Sequence, residues 1–197
     1  MDEKRGKMKP MKKHPWILCL FALIPAHAGN LNIVHLGAEE DFTLQIKCQG
    51  KSQEIVLKYG ADSGSFIVPN KPATIHVEEK KYKDLTIDTA KTGKIVVLFE
   101  EKDECKWQSI KSKPVEGKNS LRIVNLSTEK ASVAVGDQEI VIESKEEKDA
   151  GIINGASIAL KIEGQKKHSI SPEEPGAHIA LLYKNGEKWN VRFVADH

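Results

Sequence analysis

Apolar and polar residues alternate along most of the chain beyond residue 30. Phe42-Thr43-Leu44-Gln45-Ile46-Lys47 sends every second side chain to one face, the period of a half-buried strand. Residues 31–36, 53–57, 73–77 and 84–88 read as further strands separated by turn residues. Residues 65–68 form a short one, stopped by Pro69-Asn70-Lys71-Pro72. Residues 95–107 read as a hairpin: an apolar strand, a charged turn and a returning strand with Trp107. No stretch of useful length carries helical periodicity. The pattern predicts an all-β protein.

The pattern then occurs a second time. Leu121-Arg122-Ile123-Val124-Asn125-Leu126 matches Leu31-Asn32-Ile33-Val34-His35-Leu36 at four of six positions. Gln138-Glu139-Ile140-Val141-Ile142 matches Gln53-Glu54-Ile55-Val56-Leu57 at four of five. Ala156-Ser157-Ile158 aligns with Ala73-Thr74-Ile75, and Trp189 with Trp107. The segments keep one order, and the length differences fall in turns, as a shared fold requires. Asn185-Gly186 reads as the turn of the last hairpin. The expectation is two tandem antiparallel β-sandwich domains from an internal duplication, each with about eight strands. Residues 29–110 form the first and 120–197 the second. Residues 111–119, charged and carrying Pro114 and Gly117, read as the linker.

The first 28 residues follow a different pattern. A basic stretch leads into the apolar run 16–24, and Ala26-His27-Ala28 suits cleavage before Gly29. This is the layout of a secretory signal peptide, and the run is shorter than the ~20 residues of a membrane-spanning helix. Bulky Ile17 and Leu18 before Cys19 argue against a lipid anchor. Cleavage changes the charge. The whole chain carries 30 basic and 28 acidic residues; residues 1–28 hold six and two of them, leaving 24 and 26, a mature charge of −2. Interspersed signs at that balance give no footprint for nucleic acid. The expected address is periplasmic or secreted, with no stable membrane insertion after cleavage.

The opening Ile33-Val34-His35 strand, Leu57-Lys58-Tyr59-Gly60 and Ser65-Phe66-Ile67-Val68-Pro69 resemble a bacterial family of exported Ig-like β-sandwich repeat domains of unknown function. The tandem layout is loosely similar to the periplasmic accessory proteins of alginate acetylation. The second copy lacks the Tyr-Gly and Val-Pro parts. The resemblance implies an Ig-like fold, an extracytoplasmic address and an accessory role, and it brings no catalytic residues.

Candidate chemistry is sparse. Cys48 and Cys105 remain after cleavage and are candidates for one disulfide or for two buried thiols. The histidines form no closely spaced ligand pair, no nucleophile stands in a recognisable setting, and the acidic clusters are interleaved with lysine as in solvated loops. No cofactor is expected. Asn125-Leu126-Ser127 has the form of a glycosylation sequon at a strand end. Trp107, Tyr183 and Trp189 are the candidate binding residues, as a platform for sugar or a protein anchor, against a role of each Trp in plugging its own core. The expectation is a non-enzymatic accessory or protein-interaction module of the cell envelope, or alternatively a carbohydrate-binding module. Its partner would be an envelope or extracellular protein, or a polysaccharide.

Overall fold

The computed structural model describes residues 28–36, 41–63, 66–69, 72–78, 82–88, 93–101, 104–113, 115 and 117–196. The proposed signal peptide lies outside them except for Ala28, which opens the first strand. The described residues form sixteen strands and no helix. The first half supplies β1 (Ala28–Leu36), β2 (Phe42–Cys48), β3 (Lys51–Leu57), β4 (Phe66–Pro69), β5 (Ala73–Val77), β6 (Leu85–Ile87), β7 (Lys94–Glu101) and β8 (Glu104–Lys111). The second supplies β9 (Ser120–Asn125), β10 (Ala131–Val135), β11 (Gln138–Ile142), β12 (Glu147–Ile152), β13 (Ile158–Ile162), β14 (Lys167–Ile170), β15 (Ala177–Asn185) and β16 (Lys188–Ala195).

They build four four-stranded sheets. The first half gives β4-β1-β7-β8 and β3-β2-β5-β6; the second gives β12-β9-β15-β16 and β11-β10-β13-β14. The two halves thus share one topology, strand for strand. In each half the two sheets face one another across an aliphatic core. Leu31, Ile33, Phe42, Leu44, Ile75 and Leu98 fill the first, and Leu121, Ile123, Ile142, Ile158, Leu160 and Leu182 the second.

The sheets are not wholly antiparallel, as the sequence reading had them. β1 pairs parallel with β7, and β9 with β15. These four are the central strands covered on both faces, and the apolar runs of β7 and β15 are nearly continuous for that reason. One face of each looks into its own half. The other meets the opposite half in a third core, built from Val34, Leu36, Ile95, Val97, Phe99 and Ile110 on one side and Val124, Leu126, Ile179, Leu181, Tyr183 and Val194 on the other. The molecule therefore has four layers, with the two inner sheets packed back to back.

Strand pairing shows that this third core joins like to like. Leu31 lies opposite Lys94, and Leu121 opposite His178, which fixes β1 on β9 and β7 on β15. On that register Val34 corresponds to Val124, Leu36 to Leu126, Ile95 to Ile179, Val97 to Leu181, Phe99 to Tyr183 and Ile110 to Val194. The same positions of both halves meet, as they do across the two-fold axis of a homodimer. Ser112 and Asp196 also correspond, since their amides donate to Gly93 and Ala177 in turn, and they hydrogen-bond to each other at 2.6 Å. That contact marks where the pseudo-dyad passes.

The register also corrects several expectations. Trp107 pairs with Leu98, whereas Trp189 pairs with Lys184. The hairpins are equally long, so Trp189 corresponds to Cys105 and Trp107 to Val191; aligning the two tryptophans required a gap that the turn does not contain. Ala73 lies opposite Ile87 and Ile158 opposite Ile170, so Ala73 corresponds to Ile158 rather than Ala156. The last hairpin turns at Gly186-Glu187, with Asn185 still paired to Lys188; Gly186, at φ 60°, supplies the one left-handed residue. The β2–β3 hairpin is longer than β10–β11 by two strand pairs, while both turns have two residues.

Candidate functional site

A group of buried and paired polar side chains lies where the chain passes from one half to the other. Asp196 follows β16 and is buried. It accepts hydrogen bonds from Ser112 Oγ at 2.6 Å, the Lys113 amide at 3.0 Å and Arg122 Nη2 at 2.9 Å. Arg122, on β9, also reaches Glu147 Oε2 at 3.2 Å, and Lys113 Nζ reaches Glu147 Oε1 at 2.5 Å. The first residues of the expected linker are therefore clamped to the second half.

A second cluster lies toward the hairpin end of β7. Lys145 has φ 60°. Its backbone place matches that of Gly60, because the His35 amide donates to Ala61 as the Asn125 amide donates to Glu146. A lysine in the left-handed region is strained, on the order of 1–2 kcal/mol. Its side chain holds Glu101 Oε2 at 3.0 Å, donates to the Leu126 carbonyl and lies 4.7 Å above the Phe99 ring. Lys106 holds the same Glu101 oxygen at 3.1 Å. On the pseudo-symmetric side Tyr183 meets Tyr59, and Arg192 approaches Asp62 at 3.8 Å. Burial first, then the Tyr59 hydroxyl, push the Tyr183 phenol up to about 12.

Partial burial alone would raise the Glu101 carboxyl, but hydrogen bonds from Lys145 and Lys106 outweigh it and hold it low. Lys113, then Arg122, hold Glu147 low against its own burial. Both are depressed on folding, so their contribution is complete above the ordinary value of 4.5 and is lost as pH falls through the lower folded values. The part of the urea midpoint that these two carboxylates supply should accordingly be complete above pH 4.5 and be lost as the pH falls below it. Glu101→Gln should flatten that slope, and an unchanged slope in the variant would contradict the assignment.

Beside the seam lies a groove of about 890 Å³ lined by Lys83, Phe99, Cys105, Trp107 and Lys145 among others. Trp107 packs on the first core, edge-on to Tyr82, and its indole N–H donates to the Lys83 carbonyl at 2.8 Å. Tyr82 is buried, and burial, then the Cys105 thiol beside it, hold its phenol protonated well above the usual range. A phenol held protonated cannot serve as a base for that thiol.

The sequence-predicted residues are not brought together. Trp107 borders this groove, Tyr183 lies in the seam, and Trp189 packs against the second core beneath Lys184 Nζ at 5.7 Å. They form no common platform. No disulfide joins Cys48 and Cys105. Cys105 abuts Tyr82, which stacks edge-on to Phe42 at the start of β2. Cys48 ends β2, six residues or roughly 20 Å further along. A disulfide needs Cα atoms within about 7 Å, so the candidate bridge is not formed.

Asn125 is fully buried, and its amide donates to the Glu129, Ile142 and Glu143 carbonyls, so the sequon is closed to modification in the fold. Among the described residues no three His, Cys, Asp or Glu side chains gather as metal ligands would. Lys145, Glu101, Arg122 and Asp196 were not singled out in the sequence. The readable signal was Lys145, a lysine aligned with Gly60.

No family model and no curated protein sequence matches the chain. Among solved structures it is similar to the Bacillus anthracis TIE protein, at 12% identity and a TM-score of 0.31, over 78% of this chain and 33% of that one. The chain thus spans about a third of the length of that structure.

Proposed function

We propose that the protein is an exported, non-enzymatic interaction module of the cell envelope, made of two Ig-like sandwiches that arose by internal duplication. Residues 1–28 direct export. Residues 29–110 and 120–197 are the two units. The observation that carries the reading is the like-with-like core: it consumes the inner sheets and makes the pair one rigid display for the two outer ones. The strongest ion pairs serve the same seam, which suits a scaffold rather than a catalyst. The scatter of Trp107, Tyr183 and Trp189 speaks against a sugar platform.

Two results test this. Expressed from Met1 in a bacterial host, the protein should be recovered from the periplasm with Gly29 at its N-terminus; an intact cytoplasmic chain would refute export. Tryptophan emission should stay unchanged when alginate or other soluble envelope glycans are titrated in. A saturable shift would favour the carbohydrate-binding alternative.

A further inference from the structure

Four open sheets present eight edges, and an unguarded edge is a template for another strand. Six of the eight carry a recognisable guard. β4 is four residues long and ends in Pro69. β12 is broken by a bulge between Asp149 and Gly151. β6 and β14 have three and four residues. β8 and β16 carry Lys106 and Lys111, and Lys188 and Arg192. The remaining two are β3 and β11, which are corresponding strands of the two halves.

Their central residues are nearly the same, Gln53-Glu54-Ile55-Val56-Leu57 and Gln138-Glu139-Ile140-Val141-Ile142. Within these five-residue segments there is no lysine, proline or bulge; the one lysine of β3, Lys51, stands beside its turn, opposite Cys48. Each exposes a valine on the outer face at the same place: Val56 is 61% and Val141 43% exposed, two of the five exposed large hydrophobics among the described residues. Among the described residues β3 and β11 pair on one side only, with β2 and β10, and lie in the two outermost layers.

These strands are also complementary to themselves. Antiparallel pairing of β11 with β11 of a second copy, centred on Ile140, sets Glu139 opposite Val141 twice and Gln138 opposite Ile142 twice. No like charges face each other, and Ile140 and Ile142 stay on the core side. β3 pairs with itself about Ile55 in the same way, with Glu54 opposite Val56. Glu139 already accepts from Ser132 Oγ at 2.7 Å, so it lies over its own sheet.

We infer that β3 and β11 are self-association edges, and that the partner fitting each is the same edge of a second copy of this chain. Because one molecule carries two such edges in opposite outer layers, assembly does not close at a dimer. Alternating β3–β3 and β11–β11 contacts extend it end to end. The inference stands apart from the envelope-module reading, since purified protein suffices to test it.

The test is sedimentation of the processed protein and of Val56→Lys, Val141→Lys and the double variant. Both valines are exposed, so circular dichroism should be unchanged in all four. The unaltered protein should grow beyond a dimer with concentration. Each single variant should stop at a dimer through its remaining edge, and the double variant should stay monomeric. An unaltered protein that is monomeric up to its solubility limit would overturn the inference. So would single variants that assemble as far as the parent.

Discussion

Asp196→Ala should lower the unfolding free energy by about 2–4 kcal/mol, the cost of taking the buried carboxylate from Arg122, which keeps only the more exposed Glu147 as its counter-charge. Arg122 and Asp196 have side chains only 7% and 2% exposed, so water does not replace the lost contact. The change also frees Ser112 Oγ and the Lys113 amide at the point where the chain passes between halves. Chemical denaturation of the variant against the parent measures the loss. Removing both charges together, as Arg122→Met with Asp196→Leu, should restore most of it, because a hydrophobic pair of similar volume avoids desolvation. A loss under about 1 kcal/mol in the single variant, the range of a surface pair, would show the clamp to be incidental.

Leu181→Ala should cost about 2–5 kcal/mol. Leu181 is fully buried, and the side it buries is the face against the other half. Its neighbour Leu182 faces the second half's own core and is equally buried. Leu182→Ala is therefore the matched control, expected to fall in the same range. If the halves were independent domains on a linker, Leu181 would be a surface residue, and its replacement would stay within about 0.5 kcal/mol. Similar losses at both positions would show that the third core contributes as fully as the other two.

The strands were legible because alternation survives wherever one face of a sheet meets water. The outer strand β2 reads on that basis, and β5, β10 and β13 bury every second residue in the same way. The inner strands gave a different signal: residues 95–99 and 179–182 are apolar without a break, which marks burial on both faces but not what covers the second one. Only the register shows that each half covers the other with the same positions. Trp107 and Trp189 misled for a plain reason. Two rare residues near one another invite alignment, while the hydrogen-bond ladder places each opposite a different neighbour. Lys145 and Glu147 stand in a run of alternating charges that reads as solvated; what holds them is a backbone turn and partners 44 and 25 residues away in sequence. Asp196 carries no local signal, because its partners, Ser112 and Arg122, lie 84 and 74 residues earlier.

With the third core between them, the two sandwiches are one cooperative body. Scanning calorimetry of the chain from Gly29 tests it most directly. One transition is expected, with equal calorimetric and van't Hoff enthalpies on the order of 120 kcal/mol near 60 °C, as a single unit of this size requires. Two resolved transitions of about half that enthalpy each, with Leu181→Ala moving neither, would contradict it.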